Sequence, residues 1–226
     1  MALLLEIEGI DGSGKGTQAA RLVEIARAHG HRVATLSFPT YDGNPFSDAV
    51  ADYLNGVFGG ADEVHPELAG LLYACDRLHA RPELVAALAD NDLVVCDRYV
   101  ASNLAHQGSR LDGAARAQLL EWVEAVEYGE FALPRPDLVV LLDAPPDLAR
   151  ELVGRKGARA YTTLEADILE SSSGHGDASR AIYRELAESG GWLVVDAATG
   201  DGALRSVDAI AGEIWAAVEP RLEALV

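Results

Sequence analysis

The sequence of 226 residues lacks several features that would place it in a membrane-bound or disulfide-rich class. It has only two cysteines, Cys75 and Cys96, too few for a disulfide framework or a cysteine metal site. No apolar run approaches the roughly 20 residues that a membrane-spanning helix needs. The stretch MALLLEIEG at the amino terminus has no basic residue, so we expect neither a signal peptide nor a transit peptide. We therefore expect a cytoplasmic protein that does not bind a membrane.

Basic residues are also scarce. Eighteen bases face 36 acids, which gives a formal net charge of −18 at pH 7. That balance argues against nonspecific binding of nucleic acid, which requires a basic face. Only two of the bases are lysines, Lys15 and Lys156. Any anion that this chain binds must therefore be held by a local cluster of positive charge, and few such clusters exist.

Short apolar runs alternate with helical patterns along the whole chain. Five runs predict strands, at 3–9, 31–38, 92–99, 136–144 and 191–197. Helices are predicted at 16–29, 45–57, 66–89, 112–127, 178–189 and 203–218, with another opened by Pro145 and Pro146. This alternation predicts a single α/β domain, residues 1–226, with a five-stranded parallel sheet between two helical layers. Because ligands of such sheets bind beyond the carboxyl ends of the strands, the residues that follow each strand are the candidates for a site.

A glycine-rich segment, GIDGSGKGT at residues 9–17, lies between the first strand and the first helix. It fits the P-loop pattern G-x-x-x-x-G-K, in which glycines let backbone N–H groups point at phosphate oxygens and the helix adds its positive end. Lys15 would reach the β- and γ-phosphates of a nucleotide, and Thr17 would contact Mg²⁺ or a phosphate. The predicted ATP-binding residues of this segment are Asp11, Gly12, Ser13, Gly14, Lys15, Gly16 and Thr17. Since kinases, GTPases and motors share the P-loop, later segments must distinguish them.

Asp97 and Arg98 lie next to each other near the end of the third predicted strand. An aspartate at the end of a strand in a P-loop protein usually orders Mg²⁺, so Asp97 and Thr17 are the predicted metal ligands. An arginine beside the P-loop would hold a second phosphate group with two parallel hydrogen bonds. A hydrolase attacks with water and needs no such group, whereas a kinase acting on a monophosphate does. The pair Asp97 and Arg98 therefore favours a kinase, with Lys15, Asp97 and Arg98 as catalytic residues.

Six segments in order resemble thymidylate kinases, the P-loop nucleoside-monophosphate kinases that make dTDP from dTMP and ATP. They are IEGIDGSGKGTQ (7–18), SFPTYDG (37–43), LLYACDR (71–77), DRYVASNLAHQG (97–108), PDLVVLLDAPPDLARE (136–151), and YRELAE with WLVVDA (183–188 and 192–197). The resemblance implies a P-loop NTPase fold with a short mobile lid and Mg²⁺-dependent transfer of the ATP γ-phosphoryl group to dTMP. It also implies a homodimer formed through the helices around 45–57, 66–89 and 112–127.

The same resemblance implies an acceptor site. Its phosphate and sugar contacts would be Arg98 on the phosphate, Tyr41 near it, and Asp11 on the 3′-hydroxyl group. On the base, Tyr73 would stack against thymine, Arg77 would bind O4, and Phe38 would line the pocket. The remaining implied residues line the base and sugar site: Ser102, Asn103 and Gln107.

The lid implied by the resemblance covers residues 150–166, a basic segment that would close over the ATP phosphates. Closure would bring a positive charge to the transferred phosphoryl group and exclude water. Some members of the family carry the catalytic arginine in the P-loop, at the position of Gly12, so the lid would supply it here. Arg155 is the first candidate, and it and Arg159 would also bind ATP, with Arg150 as a further candidate.

Three residues depart from the family's usual pattern. Gly16 replaces Ser or Thr, which leaves direct ligation of Mg²⁺ open. His106 replaces Tyr near the 2′ face of the sugar, which leaves the choice of deoxyribose over ribose open, and Thr40 replaces Arg. Two alternatives remain at this point: a kinase for another pyrimidine monophosphate or a deoxynucleoside, and a noncatalytic nucleotide-binding module.

Overall fold

The computed structural model describes residues 2–41, 43–154, 168–169 and 174–225. All five predicted strands are present, and they form one parallel sheet in the order β2-β3-β1-β4-β5. The strands are β1 (Leu3–Glu8), β2 (Val33–Ser37), β3 (Leu93–Asp97), β4 (Leu138–Asp143) and β5 (Leu193–Asp196). The central strand β1 is fully buried, so the P-loop follows the most enclosed strand of the sheet.

Eight α-helices of the described chain surround the sheet. They are α1 (Lys15–Ala28), α2 (Pro45–Leu54), α3 (Pro66–Asp90), α4 (Val100–Gly108), α5 (Gly113–Glu124), α6 (Pro146–Gly154), α7 (His175–Gly190) and α8 (Val207–Glu223). A π-helix, Ala125–Glu130, directly continues α5. Among the described residues, no helix is both long enough and apolar enough to cross a bilayer.

The two faces of the sheet support different helices because side chains alternate along a strand. On one face of β1, Leu5 and Ile7 belong to an apolar core shared with α1 and α8. On the opposite face, Glu8 accepts hydrogen bonds from Ser102 of α4 and Tyr183 of α7. The sheet therefore lies between two helical layers, and the predicted α/β/α architecture is confirmed.

Helix α4 was not among the predicted helices. Its sequence, VASNLAHQG, mixes small, polar and apolar residues, and every residue except His106 is buried, so no solvent-facing polar side marks this helix. Two glutamates of β1 bond its first turn instead: Glu6 accepts from Ala101 N at 2.8 Å, and Glu8 accepts from Ser102 N at 3.0 Å. This tertiary capping satisfies N–H groups that a local cap residue would otherwise bond.

Several predicted helix ends were wrong. The helix predicted at 112–127 is α-helical only to Glu124, because the chain then widens into the π-helix. The helix predicted at 178–189 begins at His175. The last helix begins at Val207, where Ser206 accepts a hydrogen bond from Ala209 N as a cap, and it ends at Glu223.

The predicted lid falls mostly outside the described residues. Of residues 150–166, only 150–154 are described, as the end of α6. The predicted residues Arg155 and Arg159 lie outside the described ranges. The position of α6 is nevertheless informative, because it packs on the P-loop.

Candidate active site

The P-loop connects β1 to α1 through glycines with positive φ angles. Gly12 and Gly14 have φ of +85° and +95°, which L-residues with side chains rarely adopt. A side chain on Gly12 would also collide with the carbonyl oxygen of Ala149 and approach Val153, both on α6. Gly12 therefore lets α6, the helix that leads to the predicted lid, lie directly against the phosphate-binding loop.

Lys15 is buried and directed into this loop. Its Nζ donates to the carbonyl oxygens of Gly9 and Ile10, each at 2.9 Å. Burial, and then the charge of Arg98, lower the pKa of Lys15 to about 8, although neighbouring carboxylates act in the opposite direction. Lys15 thus presents an ammonium group, largely stripped of water, that can exchange loop carbonyls for phosphate oxygens.

Asp97 lies beside the first turn of α1. Its Oδ2 is 3.1 Å from the position that a Cβ atom on Gly16 would take. The missing side chain at Gly16 therefore makes room for the carboxylate. Thr17 follows in the same turn and is exposed. Carboxylate and hydroxyl oxygens are donors that Mg²⁺ prefers, so these residues fit that ion, with Asp97 rather than residue 16 supplying the side-chain oxygen.

Arg98 makes the densest set of contacts in the site. Nη2 donates to Asp11 Oδ1 at 2.5 Å, while Nη1 donates to Ser102 Oγ at 3.0 Å and to His106 Nε2 at 3.2 Å. Nη1 also lies 3.4 Å from Gly9 O, the carbonyl that Lys15 contacts. The two cations therefore converge on one backbone oxygen.

The charge of Asp11 depends on these neighbours. Its side chain is 53% exposed. Desolvation in the cleft raises the pKa of Asp11, but Arg98 and then Lys15 outweigh that effect and hold it well below its usual range. Asp11 is therefore ionised at neutral pH and bonds one end of the Arg98 guanidinium group.

Glu8 supports the segment that carries Arg98 through hydrogen bonds. The sequence motifs did not identify this residue. It is fully buried and accepts hydrogen bonds from Tyr99 N at 2.8 Å, Ser102 Oγ at 2.7 Å and Tyr183 Oη at 2.6 Å. Arg98 itself has a φ of +67°, which costs about 1–3 kcal/mol for a residue other than glycine. The contacts of Glu8 with Tyr99, which directly follows Arg98, and with Ser102 help to hold this strained backbone. Acids at alternate positions of the run LLLEIE were the available sequence signal.

All nine predicted substrate-binding residues line one cavity of about 90 Å³ beside Arg98. They are Asp11, Phe38, Tyr41, Tyr73, Arg77, Arg98, Ser102, Asn103 and Gln107. They come from the segments after β1, β2 and β3 and from helices α3 and α4. The fold thus brings distant parts of the sequence to one place, at the carboxyl edge of the sheet.

The far end of the cavity carries a buried polar cluster. Arg77 Nε and Nη2 donate to Glu127 Oε2 and Oε1 at 2.5 and 2.6 Å. Asn103 Nδ2 donates to Glu127 Oε1 at 2.8 Å and to Gly70 O at 3.0 Å, while its Oδ1 has no hydrogen-bond partner among the described residues. Glu127, which sequence reasoning also missed, therefore bonds two of the predicted substrate-binding residues.

His106 and His175 form a pair at the edge of the cavity. Because Arg98 can only donate, Nε2 of His106 accepts, and its Nδ1 donates to His175 Nε2 at 3.2 Å. Burial, then Arg98 and His175, lower the pKa of His106 well below its usual value. His175, to which the sequence motifs assign no role, therefore contacts a residue of the site.

The loop after β2 is held by a buried aspartate. Asp76 of α3 accepts hydrogen bonds from Thr40 N at 2.9 Å, Thr40 Oγ1 at 2.7 Å and Asn44 Nδ2 at 3.1 Å. Tyr41 follows with a φ of +46°. Asp76, which the motifs did not reveal as a support, therefore fixes the loop that carries Phe38 and Tyr41.

The site combines three features: the P-loop after the central strand, the carboxylate of Asp97 at the end of the neighbouring strand, and the cationic pocket around Arg98. Together they define a P-loop NTPase fold with places for two substrates. The chain belongs to the thymidylate kinase family, whose sequence model matches residues 7–205. It is 37% identical over 211 residues to the thymidylate kinase of Mycobacterium tuberculosis, covering 89% of this chain and 95% of that one. It is 34% identical over 229 residues to the thymidylate kinase of Deinococcus radiodurans, covering 97% of each.

A solved structure supports the fold. The chain is similar to thymidylate kinase from Candida albicans with a TM-score of 0.74, over 97% of this chain and 92% of that one, at 23% identity. At that identity the likeness concerns the fold alone. It agrees with the parallel sheet and surrounding helices described above.

Proposed function

We propose that this chain transfers the γ-phosphoryl group of ATP to dTMP, giving dTDP and ADP. The observation that carries this proposal is the convergence of Lys15 and Arg98 on Gly9 O, one from the P-loop and one from the acceptor cavity. Two phosphate groups held by these cations would be adjacent, as direct transfer requires. Family membership supports the same activity.

On the donor side, the P-loop N–H groups and Lys15 hold the β- and γ-phosphates in this proposal. Asp97 and Thr17 would hold Mg²⁺, which would neutralise charge on the phosphates. The whole chain, residues 1–226, is one kinase domain, and its lid comprises residues 150–166. The lid supplies Arg155 to the transferred phosphoryl group and Arg159 to ATP. The packing of α6 on Gly12 supports this, because Ala149 and Val153, in the helix that leads to the predicted lid residues, lie against the P-loop.

On the acceptor side, Arg98 holds the phosphate of dTMP and Asp11 accepts a hydrogen bond from the 3′-hydroxyl group. Only one end of the Arg98 guanidinium group is engaged by Asp11, while Nη1 lies toward Ser102 and His106 in the cavity. An oxygen of the acceptor phosphate then attacks in line. No general base is needed, because that phosphate is already an anion at pH 7.

Hydrogen-bonding groups at the far end of the cavity favour thymine or uracil over cytosine. The pair with Glu127 uses Nε and Nη2 of Arg77 and leaves the donor Nη1 outside it. Asn103 bonds the same Glu127 oxygen as Arg77 does, and its own Oδ1 is an unpartnered acceptor. A donor beside an acceptor matches O4 and N3–H of thymine. Cytosine presents the reverse order, an amino group and an unprotonated N3.

The acceptor is tested by measuring ADP release with MgATP and a panel of dTMP, dUMP, dCMP and thymidine. We expect dTMP to be the best acceptor and dCMP to lose at least about 100-fold in kcat/KM, since both base contacts would be mismatched. Thymidine should give no turnover because it offers no phosphate to Arg98. Turnover of thymidine without turnover of dTMP would favour a nucleoside kinase, and ATP binding without acceptor-dependent turnover would favour a noncatalytic module.

The pH dependence tests the role of Lys15. We expect kcat/KM for ATP, at dTMP well below saturation, to fall roughly tenfold per pH unit above about pH 8, because the free enzyme then loses the Lys15 charge. Arg98 keeps its charge throughout this range, since nearby carboxylates and Tyr183 raise its pKa despite burial. A profile that stays flat to pH 10 would contradict the assignment.

The chain is proposed to act as a homodimer in the cytoplasm, where ATP is available. Exposed apolar side chains on α2 and α3 support the dimer, including Phe46, Leu68, Leu78 and Val85. Sedimentation velocity should show a species of twice the 23.9 kDa chain mass. Leu78→Glu should shift it toward the monomer, and a monomeric wild-type chain at micromolar concentration would refute the dimer.

A further inference from the structure

Glu127 bonds the two residues that present hydrogen-bonding groups to the base. It is fully buried in the π-helix, and its carboxylate accepts hydrogen bonds from Arg77 and from Asn103. Arg77 and Asn103 line the cavity, whereas the lining residues of the described chain do not include Glu127. Glu127 therefore contacts those two side chains and does not itself line the cavity.

The amide of Asn103 has its orientation set by these contacts. An amide has an acceptor end and a donor end of nearly the same shape, so its neighbours decide which way it points. Nδ2 donates to Glu127 Oε1 and Gly70 O, neither of which can donate in return. Reversing the amide would bring its oxygen against both of these acceptors, so Oδ1 is kept as the unpartnered atom.

The local backbone is unusual at the same place. α5 changes into a π-helix at Ala125, and Leu133 N donates to Glu127 O at 3.0 Å where the chain leaves that turn. π-Helical turns are rare and occur often at functional sites. Gly70 leaves room for the amide in this position, because a Cβ atom there would lie 3.3 Å from Asn103 Oδ1. The π-helix therefore supplies the carboxylate that the amide bonds, and Gly70 supplies the space and a carbonyl oxygen.

We propose that Glu127 is a positioning residue that sets the pyrimidine selectivity of the acceptor site. Glu127 holds Arg77 as a hydrogen-bond donor and Asn103 Oδ1 as an acceptor. Thymine and uracil present the complementary groups, O4 and N3–H, and cytosine presents the opposite ones. This inference rests on the proposed function, since it concerns the base of the acceptor monophosphate. It assigns selectivity to a residue that does not touch the acceptor.

The test compares kcat/KM for dTMP and for dCMP in the wild type and in Glu127→Gln. A glutamine at this position can donate, so the Asn103 amide can turn and present its NH₂ group to the base. We expect the dTMP to dCMP ratio to fall at least tenfold, with KM for ATP within about twofold of wild type. Glu8→Gln is the matched control, because it also neutralises a buried carboxylate but one that supports Arg98, which would bind the phosphate. It should lower kcat/KM for dTMP and for dCMP equally and leave their ratio unchanged.

Glu127→Asp is a second variant, for the case that Glu127→Gln fails to fold because the buried Arg77 has lost its charged partner. Its shorter carboxylate retains the charge but cannot bond Arg77 and Asn103 together, so the ratio should also fall. Calorimetric binding of dTMP and dCMP gives the same ratio without turnover, so a wild type that binds selectively but transfers no phosphoryl group would refute the proposed function alone. An unchanged ratio in the folded Glu127 variant, with equal losses for both nucleotides, would show a purely structural role and overturn the inference.

Discussion

Replacing Lys15 with alanine is expected to lower kcat by at least about a thousandfold while the chain remains folded. Lys15 supplies the only described P-loop side chain with a positive charge, and its Nζ lies where phosphate oxygens would bind. The substitution leaves Gly9 O and Ile10 O without this donor, a loss of about 1–3 kcal/mol that a domain of this size tolerates. ADP release at saturating dTMP measures the first effect and thermal melting the second.

Arg21→Ala is the matched control for this substitution. Arg21 also lies on α1, but it is exposed and forms ion pairs with Glu24 and Asp208 on the surface. Its removal should leave turnover within about twofold of wild type, because exposed ion pairs contribute about 0–1 kcal/mol. A Lys15→Ala enzyme with the wild-type rate would remove Lys15 from the mechanism.

Replacing Arg98 with alanine should raise the KM for dTMP about 100-fold and change the KM for ATP by less than about threefold. Hydrogen bonds to a charged group contribute about 1.5–3 kcal/mol, and Arg98 offers the acceptor phosphate more than one donor. The selectivity of the effect is the informative part, because Lys15 and the P-loop amides remain in place for ATP.

Two further measurements separate this role from a general loss of structure. Arg135→Ala removes the same charge from an exposed residue that pairs with Glu124, and neither KM should change. Thermal melting of Arg98→Ala should show a folded protein, since Asp11, its ion-pair partner, is half exposed and can be hydrated. An equal rise of both KM values would argue against a specific contact with the acceptor.

The parts of the site that could be predicted are those that depend on local sequence. The P-loop pattern fixes a turn between a strand and a helix, and Asp97 and Arg98 follow a strand whose apolar run is easy to recognise. Parallel strands end at one edge of a sheet, so these segments had to meet. The resemblance to a known family then supplied positions for Tyr73, Asn103 and the other cavity residues.

The buried carboxylates could not be predicted, because their function arises only from contacts made in three dimensions. Glu127 lies 50 positions from Arg77, and its segment reads like the exposed end of a helix. Asp76 resembles any charged residue of a long helix until Thr40 and Asn44 are brought to it. Nothing in the one-dimensional spacing marks a π-helix, so the inward position of Glu127 had no sequence signal.

Glu8 is the exception among these acids. Two glutamates at alternate positions of an otherwise apolar strand place both carboxylates on one face of a buried sheet. Burial there demands hydrogen-bond donors, and the amino end of α4 provides them. Burial, and then the neighbouring charge of Glu8, raise the pKa of Glu6 well above its usual range.

The central claim is that donor and acceptor phosphates lie next to each other, held by Lys15 and Arg98. The most direct test follows the label from ATP carrying ³²P in its γ-phosphoryl group, with and without dTMP. The account predicts label in dTDP, one ADP formed per dTDP, and almost no labelled inorganic phosphate in either reaction. Label released as inorganic phosphate at the same rate whether or not dTMP is present would contradict it.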